Sequence, residues 1–147
     1  MITVFEGEHA FLSNFYNSPF SYEGIEYPTN EHFFQAMKTK NLKERQAIAR
    51  AKTPGQAKRL GRQVQLRSDW EQIKEVVMYT GLLLKFQDPF LRAQLLATQD
   101  EELVEGTTWH DNEWGSCSCS RCINIRGANK LGKLLMQVRS EIRTGQI

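Results

Sequence analysis

Residues 29–38 carry a carboxylate, an amide and an amine at spacings that suit catalysis. If the stretch is helical, Glu31, Gln35 and Lys38 lie on one face, because residues four and seven positions apart are neighbours on a helix surface. A carboxylate near a helix N-terminus complements the helix dipole, or it serves as a catalytic acid or base. The position of Glu31 alone favours neither of these two roles over the other.

Lys38 is the second candidate, and it is the first Lys or Arg in the chain. A lysine among apolar groups loses its proton more easily, because desolvation disfavours the ammonium, and the free amine can attack a carbonyl carbon to form a Schiff base. A solvated lysine on a helix surface is the commoner occurrence. Two helical turns, ~10 Å along the axis, separate Lys38 from Glu31, so the pair could flank one ligand.

A third candidate lies at residues 109–115, which hold two tryptophans, a histidine and three acid or amide groups. Tryptophan is costly to expose, so Trp109 and Trp114 in a loop suggest a stacking surface for a flat ring. Asp111 between them could stabilise a developing positive charge. Burial of both indoles in the core is the alternative.

Cys117, Cys119 and Cys122 form a C-x-C-x-x-C run. Three thiolates this close could bind zinc with one more ligand, such as His110. However, the paired C-x-x-C spacing of many zinc sites is missing, and C-x-C is tight for one tetrahedral ion. Free thiols are therefore preferred and no cofactor is expected, with zinc kept as the weaker alternative.

The composition of the 147-residue chain predicts one globular domain, residues 1–147, to position these groups. No apolar run approaches the ~20 residues of a membrane span, and the N-terminal residues do not resemble a signal peptide. The three cysteines are an odd number within six positions, which argues against a secreted disulfide framework. The expected location is the cytoplasm, with no membrane contact.

The net charge of +2 is unevenly distributed. Residues 1–37 have five acids and no Lys or Arg, whereas residues 38–67 have ten Lys or Arg and one acid. Residues 100–114 have six acids and no Lys or Arg. The basic segment could attract phosphates, although a solvated helix face is the commoner explanation and a nucleic-acid groove the rarer one.

Several short elements are predicted before the longest helix. Residues 20–22 and 25–27 alternate around Glu23-Gly24, which indicates a hairpin. Residues 2–5 and 103–105 are expected to form strands. Helices are predicted from Thr29 or Asn30, over residues 42–51, and from Thr53-Pro54 to about Leu60.

The most regular helix is predicted to begin at a capping box made by Ser68 and Glu71. Its expected core face consists of Ile73, Val76, Val77, Thr80, Leu83, Leu84 and Phe86. Asp88-Pro89 predicts another helix through residues 95–96. Residues 106–127 show no sustained period and suggest a functional loop. The last predicted helix is amphipathic, with apolar positions at Leu131, Leu134, Leu135, Val138 and Ile142.

The order and spacing of these motifs resemble the NADAR family, also called YbiA-like, over nearly the whole chain. The matching pieces are residues 11–16, residues 27–32, residues 34–36 with Lys38, residues 51–54, Trp70, Met78, residues 85–86, Leu96, Thr98, residues 103–105, residues 109–112, residues 114–115, Gly127, Asn129, residues 131–133, residues 135–136 and residues 138–139. The cysteine run departs from the pattern, because many members have Gly and Asp there.

The resemblance implies an α+β, mainly helical fold: a single compact YbiA-like domain with a few short N-terminal strands. It also implies an N-glycosidase, a hydrolase acting on ribosyl compounds. Some members are thought to cleave phosphorylated intermediates of riboflavin biosynthesis. Others are similar to the antitoxin halves of DarT–DarG systems and remove ADP-ribose from guanine in DNA. ADP-ribose or a ribosyl phosphate, alone or on DNA or RNA, is therefore the expected substrate.

The family match also suggests roles for individual residues. Lys38 is expected to be the Schiff-base nucleophile, Glu31 the acid or base, and Asp111 the electrostatic or orienting group. The expected substrate-binding residues are Asn14, Phe15, Gln35, Trp70, Trp109, Trp114, Gly115 and Asn129. Two other interpretations remain: a non-catalytic module that binds ADP-ribose or a nucleotide, and a small zinc-dependent nucleic-acid binder. The sequence does not determine the substrate, the existence of a toxin partner or the oligomeric state.

Overall fold

The computed structural model of the chain describes residues 1–147 and contains seven helices and four short strands. The helices are a 3₁₀ helix at Gly7–Leu12 followed by α1 (Asn30–Ala36), α2 (Leu42–Ala49), α3 (Pro54–Gly61), α4 (Trp70–Lys85), α5 (Pro89–Ala97) and α6 (Lys130–Arg143). The strands are β1 (Phe20–Tyr22), β2 (Ile25–Tyr27), β3 (Gly106–Thr107) and β4 (Ser116–Cys117). The predicted α+β, mainly helical class is confirmed. Two compact units make up the chain, residues 14–86 and residues 1–13 with 87–147.

The predicted hairpin is present in the unit of residues 14–86. Strands β1 and β2 pair antiparallel, with Phe20 opposite Tyr27 and Tyr22 opposite Ile25. Glu23 and Gly24 both have positive φ angles, +50° and +80°. Two left-handed residues make the tight turn whose twist matches that of the flanking strands, which explains why this pair closes the hairpin.

Helix α1 lies at the centre of the same unit and packs against α2, α3 and α4. Its N-cap is Thr29, whose hydroxyl accepts a hydrogen bond from the backbone N–H of His32, as the sequence predicts. All seven residues of the helix are buried. The ring of Phe33 lies 5.2–5.6 Å, centroid to centroid, from three aromatic rings of the hairpin. The helix ends at Ala36, so Lys38 lies in the turn beyond it and not on the helix itself.

Local capping signals place the starts of α2, α3 and α5. Asn41 caps α2 by accepting from a backbone N–H of the first turn, and Thr53 caps α3 with Pro54 at the first helical position. Asp88 caps α5 in the same way, with Pro89 following. The predicted restarts at Thr53-Pro54 and Asp88-Pro89 are confirmed.

The start of α4 differs from the prediction of a capping box. Asp69 is the N-cap and makes no side-chain capping bond. Its carboxylate is instead paired with the guanidinium of Arg67, with atoms 2.7 Å apart. The N-cap thus falls one residue after the predicted Ser68, so Glu71 is no longer three residues beyond the cap, as a capping box requires.

The predicted core face of α4 is wrong except at Phe86, the residue after the helix, which is 1% exposed. Its buried residues are Trp70, Met78, Gly81, Leu82 and Lys85, while Val76 is 63% exposed. Apolar side chains occur around most of this helix, so the periodicity permits more than one face. Close packing against α1 selects the face that contains Gly81, because a Cβ there would lie 1.9 Å from the side-chain oxygen of Asn30.

In the other unit, α5 packs against α6. The buried face of α6 contains Leu131, Leu135, Val138 and Ile142, as predicted from the amphipathic pattern, whereas Leu134 is only partly buried. The buried Arg139 guanidinium donates a 2.9 Å hydrogen bond to the hydroxyl of Thr98. This bond satisfies one donor of a charged group that would otherwise be costly to bury.

The strands predicted at residues 2–5 and 103–105 are reduced to one isolated parallel bridge between Ile2 and Leu103. The remaining pairing is between the two-residue strands β3 and β4, with Gly106 opposite Ser116 and Thr107 opposite Cys117. They lie inside the stretch predicted as a loop, and they are in the second half of the chain, not near the N-terminus. None of the helices combines the length and apolar character needed to span a membrane.

Candidate functional site

Glu31 is anchored in the first turn of α1. Its carboxylate is 8% exposed and accepts a 2.8 Å hydrogen bond from the side-chain Nε2 of Gln35, one helical turn further on. A buried carboxylate held by an amide keeps one orientation, and the N-terminal position supplies a favourable dipole. The predicted relationship between these two residues is therefore present.

Asn14 supports the same turn through its backbone and its side chain. Its carbonyl oxygen accepts from the backbone N–H of Glu31 at 3.0 Å, and its side-chain oxygen accepts from the amide of Asn30 at 2.9 Å. The side chain of Asn14 is buried, and its amide nitrogen lies 3.5 Å from the sulfur of Met78. The adjacent Phe15 is 48% exposed.

Lys38 is half-buried, and its ammonium lies 6.0 Å from the ring centroid of Trp70. Burial lowers the pKa of Lys38 from its ordinary value, because an ammonium loses hydration. The negative charge of Glu31 opposes this shift, whereas the positive charges of Arg62 and Lys58 add to it. Lys38 is thus electrostatically coupled to Glu31 and is not a fully solvated surface lysine.

The indole of Trp70 forms the apolar side of this cluster. It is 7% exposed and packs edge-on against Phe34, with ring centroids 5.0 Å apart. Much of the indole surface is therefore covered by the protein's own side chains. Within residues 14–86 the structure brings together five of the predicted site residues: Asn14, Glu31, Gln35, Lys38 and Trp70.

Two buried ionisable residues in this unit were not chosen as site residues from the sequence. His32 lies between the hydroxyl of Thr29, 2.7 Å from Nδ1, and the carbonyl of Ala51, 3.0 Å from Nε2. A carbonyl only accepts, so Nε2 carries the proton, and burial lowers the pKa of His32. Lys85 is 2% exposed, with its ammonium 5.8 Å from the ring centroid of Tyr16. The sequence signal that could have identified Lys85 was a lysine within a largely apolar helix.

Asp111, in the other unit, shapes the loop that follows it. One oxygen of its half-buried carboxylate accepts from the backbone N–H groups of Glu113 and Trp114, at 3.1 and 2.9 Å. The carboxylate thus closes a turn and directs the indole that follows. Its second oxygen leaves further capacity to accept hydrogen bonds.

Trp114, Gly115 and Asn129 lie beside this turn. The ammonium of Lys130 lies 5.8 Å from the ring centroid of Trp114, and the backbone N–H of Asn129 donates to the carbonyl of Gly115 at 3.1 Å. A side chain at Gly115 would meet the carbonyl oxygen of Glu105 at 2.3 Å, so only glycine fits. Both polar groups of the Asn129 side chain bond to backbone atoms.

Trp109 is 57% exposed and is not a core side chain. It lines a cavity of ≈ 560 Å³ together with Ile123, Ile125 and strands β3 and β4. Its neighbour His110 has a positive φ of +67°, whereas Trp114 is partly buried. The two indoles of this segment therefore have different environments.

The structure brings the three cysteines and His110 together. Their sulfur atoms and one ring nitrogen all lie within 4.8 Å of one another. The nitrogen Nδ1 of His110 is 3.3 Å from the sulfur of Cys119 and 3.4 Å from that of Cys122. These four residues are the group in the chain that could hold a metal ion.

The chain matches the NADAR domain family over residues 4–143. It is 42% identical over 134 residues to the N-glycosidase YbiA of Shigella boydii, covering 89% of this chain and 80% of that protein. It is also 38% identical over 138 residues to riboflavin biosynthesis protein VVA0006 of Vibrio vulnificus, covering 92% of this chain but only 36% of that longer protein.

A solved structure has the same fold. The NMR structure of the Escherichia coli protein YbiA superposes with a TM-score of 0.82 and 38% sequence identity. The superposition covers 99% of this chain and 87% of the YbiA chain. The family resemblance of the sequence motifs is confirmed by these comparisons.

Proposed function

The chain belongs to the NADAR domain family and is an N-glycosidase, and we propose that it cleaves phosphorylated ribosyl intermediates related to riboflavin biosynthesis. The name of the Vibrio vulnificus relative supports this substrate class, and the names of the YbiA relatives support the reaction. An ADP-ribosyl group on guanine is the competing substrate.

The observation that carries the proposal is the environment of Lys38. A half-buried amine with a lowered pKa, 6.0 Å from the centre of an indole and within the electrostatic influence of a buried carboxylate, has the properties of a nucleophilic lysine. Its pKa is lowered by desolvation first and by neighbouring cations second, so the free amine is populated at lower pH than in an ordinary lysine.

The proposed reaction begins at the anomeric carbon of the ribose. The C1′–N bond breaks, its electron pair leaves with the base nitrogen, and the leaving base takes a proton from water. The lone pair of the Lys38 amine bonds to C1′. The Glu31 carboxylate accepts a proton from the bound amine, the ring oxygen departs and takes that proton, and an imine remains between Lys38 and the open-chain sugar.

Water completes the cycle by adding to the imine carbon. The carboxylate of Glu31, now deprotonated, accepts a proton from that water, and the C–N bond to Lys38 breaks to release the free sugar. Because Gln35 holds one oxygen of Glu31, the carboxylate keeps its orientation in both half-reactions. The negative charge also opposes the positive charge that develops on the sugar.

The phosphate of the substrate is expected to interact with the two cations that act electrostatically on Lys38. Arg62 and Lys58 are close enough to influence its pKa, and a bound phosphate dianion would partly neutralise them. Arginine suits this role because its planar guanidinium can donate two parallel hydrogen bonds to phosphate. The same cations would accept the pyrophosphate of an ADP-ribosyl substrate.

Borohydride trapping tests the covalent step. Reduction during turnover should leave the sugar bonded to Lys38, visible as a mass increase on the peptide that contains it. Lys38→Ala should abolish trapping and lower kcat by about 1,000-fold or more, within the range found for nucleophile removal. Lys40→Ala, an exposed lysine two residues further on, is the matched control and should react normally. A Lys38→Ala enzyme with full activity would eliminate the covalent role.

A paired assay decides the substrate. Phosphoribosylamino-pyrimidine intermediates and guanine-ADP-ribosylated DNA are offered separately, and released sugar is quantified by mass spectrometry. Release from the pyrimidine alone supports the proposal, whereas release from the DNA alone replaces the substrate class. Binding of ADP-ribose without turnover of either substrate would favour the non-catalytic module.

A further inference from the structure

We propose that Cys117, Cys119, Cys122 and His110 form a closed, structural zinc site that holds residues 110–122 in place. The evidence is the convergence of four zinc-binding atoms from a segment with very little regular structure. Their mutual distances, all within 4.8 Å, suit a single ion.

The distances agree with tetrahedral coordination. With Zn–S bonds of about 2.3 Å and Zn–N bonds of about 2.0 Å, a tetrahedron separates two sulfurs by about 3.8 Å and a sulfur from a nitrogen by about 3.5 Å. The observed separations from Nδ1 of His110 are 3.3 Å to Cys119 and 3.4 Å to Cys122. The other separations, which reach up to 4.8 Å, would shorten by up to about 1 Å when the ion binds.

The backbone arranges the ligands without help from a long element. Cys117 ends strand β4, and the N–H of Cys122 donates to the carbonyl of Cys119 at 3.0 Å, which forms a turn between two ligands. The backbone N–H of His110 points at the sulfur of Cys117 at 3.3 Å. Such N–H···S bonds offset part of the charge of a coordinating thiolate.

The chemistry of the four donors favours zinc. Three thiolates and one imidazole form a common tetrahedral zinc set, and soft sulfur ligands disfavour magnesium and calcium. Four protein ligands leave no open position, which indicates a structural and not a catalytic metal. A disulfide would use only two of the three sulfurs and would give the nearby imidazole no role.

The site would stabilise a functionally important segment. Asp111 and Trp114 lie between the ligands His110 and Cys117, so a bound ion would fix both ends of the stretch that carries them. In residues 106–127 the only strands are the two-residue β3 and β4. Because metal binding contributes directly to folding free energy, zinc can replace the missing core there.

Metal analysis of the purified wild-type chain is the first test. Protein expressed in zinc-supplemented medium and purified without chelators should contain about one zinc per chain, with its three thiols slow to alkylate. Addition of a chelator should release the zinc and make all three thiols reactive. Absence of zinc with three freely reactive thiols would overturn the proposal, as would a disulfide between any two cysteines.

Cobalt substitution tests the ligand set directly. The zinc-free chain titrated with Co²⁺ should develop thiolate-to-cobalt charge-transfer absorption and the strong visible bands of a tetrahedral ion, saturating at one equivalent. Added Zn²⁺ should then remove these bands by displacement. A weak octahedral spectrum, without charge transfer, would exclude coordination by the three thiolates.

Ligand variants complete the test. Cys119→Ser is preferred because Cys119 is the partly exposed cysteine, so its packing cost is small. It should weaken zinc binding by about 100-fold or more, and His110→Ala should do likewise. Ser120→Ala, exposed and in the same segment, is the control and should bind normally. If Cys119→Ser and Ser120→Ala bind zinc equally well, Cys119 is not a ligand and the proposed site is wrong. If a variant does not fold, the zinc content, thiol reactivity and cobalt spectrum of the wild-type chain still decide the proposal.

Discussion

Gly61 and Gln35 are packed so closely that a Cβ atom built on Gly61 would lie 2.0 Å from the side-chain oxygen of Gln35. The missing side chain at position 61 therefore leaves the space in which Gln35 holds Glu31. Helix α3 thus contributes to the orientation of the carboxylate through this close packing.

Gly61→Ala should displace Gln35 and lower the free energy of unfolding by about 1–3 kcal/mol, despite the better helix propensity of alanine. The N-glycosidase kcat should fall as well, because Glu31 loses the hydrogen bond from Gln35. Gly55→Ala, in the same helix with its nearest neighbouring atom 3.9 Å away, is the control and should change stability by less than about 1 kcal/mol. Urea denaturation compares the two. Equal stabilities would contradict the steric argument.

The pH dependence of trapping should report the charges around Lys38. The free amine is the reactive form, so the trapping rate should rise with pH and level off above the pKa of Lys38. Lys58→Ala removes a nearby cation, which raises this pKa and moves the rise to higher pH. Glu31→Gln removes the nearby anion, which lowers the pKa and moves the rise to lower pH.

Lys43→Ala is the control for this pair, because Lys43 is exposed and is not among the charges that act on Lys38. Its profile should coincide with that of the wild type. If the pH profiles of Lys58→Ala and Glu31→Gln shift in the same direction, the rise in trapping rate is controlled by the titration of a group other than Lys38.

Asp111 offers a way to separate turn formation from catalysis. Asp111→Asn keeps an oxygen that can accept from the N–H groups of Glu113 and Trp114, so stability should change by less than about 1 kcal/mol. If its charge assists the reaction, kcat should nevertheless fall by about 100-fold. Asp111→Ala should lose stability as well, by about 1–3 kcal/mol. An active Asp111→Asn enzyme would restrict Asp111 to its structural role.

Asn129 should be important for stability. Its side-chain oxygen accepts from the N–H of Glu105 at 3.0 Å, its amide donates to the carbonyl of Leu103 at 2.9 Å, and its φ is +50°. Asn129→Gly loses both hydrogen bonds, which should lower the free energy of unfolding by about 2–3 kcal/mol. The backbone stays unstrained, because glycine tolerates a positive φ. Asn129→Ala should be less stable by about another 1 kcal/mol, because alanine disfavours positive φ. Thermal unfolding measures the difference in stability between the two variants. Equal stabilities would mean that the backbone at residue 129 can move away from its positive φ.

Local signals made several elements predictable. The hydroxyl of Thr29, the Thr53-Pro54 and Asp88-Pro89 pairs and the Glu23-Gly24 turn act within a few residues of their own position, and each is present as expected. The amphipathic pattern of α6 was equally clear, because most of its apolar residues lie on one face.

The buried face of α4 could not be predicted in the same way. Val76 and Met78 are both apolar, yet the first is 63% exposed and the second is 2% exposed. Only the close approach of α1 at Gly81 distinguishes them, and that approach depends on residues distant in sequence. The strands expected at residues 2–5 and 103–105 failed for a related reason, because pairing needs a partner that local β-propensity does not supply.

For the candidate site, the sequence by itself determined the residue types and the family, since motif order and spacing are properties of the chain alone. It also placed Glu31 and Gln35 one turn apart, because helical geometry is local. Only the tertiary structure decided that Lys38 is half-buried near Trp70 and that three cysteines converge with His110. Desolvation and ligand convergence arise from groups that folding brings together, so neither can be derived from spacing along the chain.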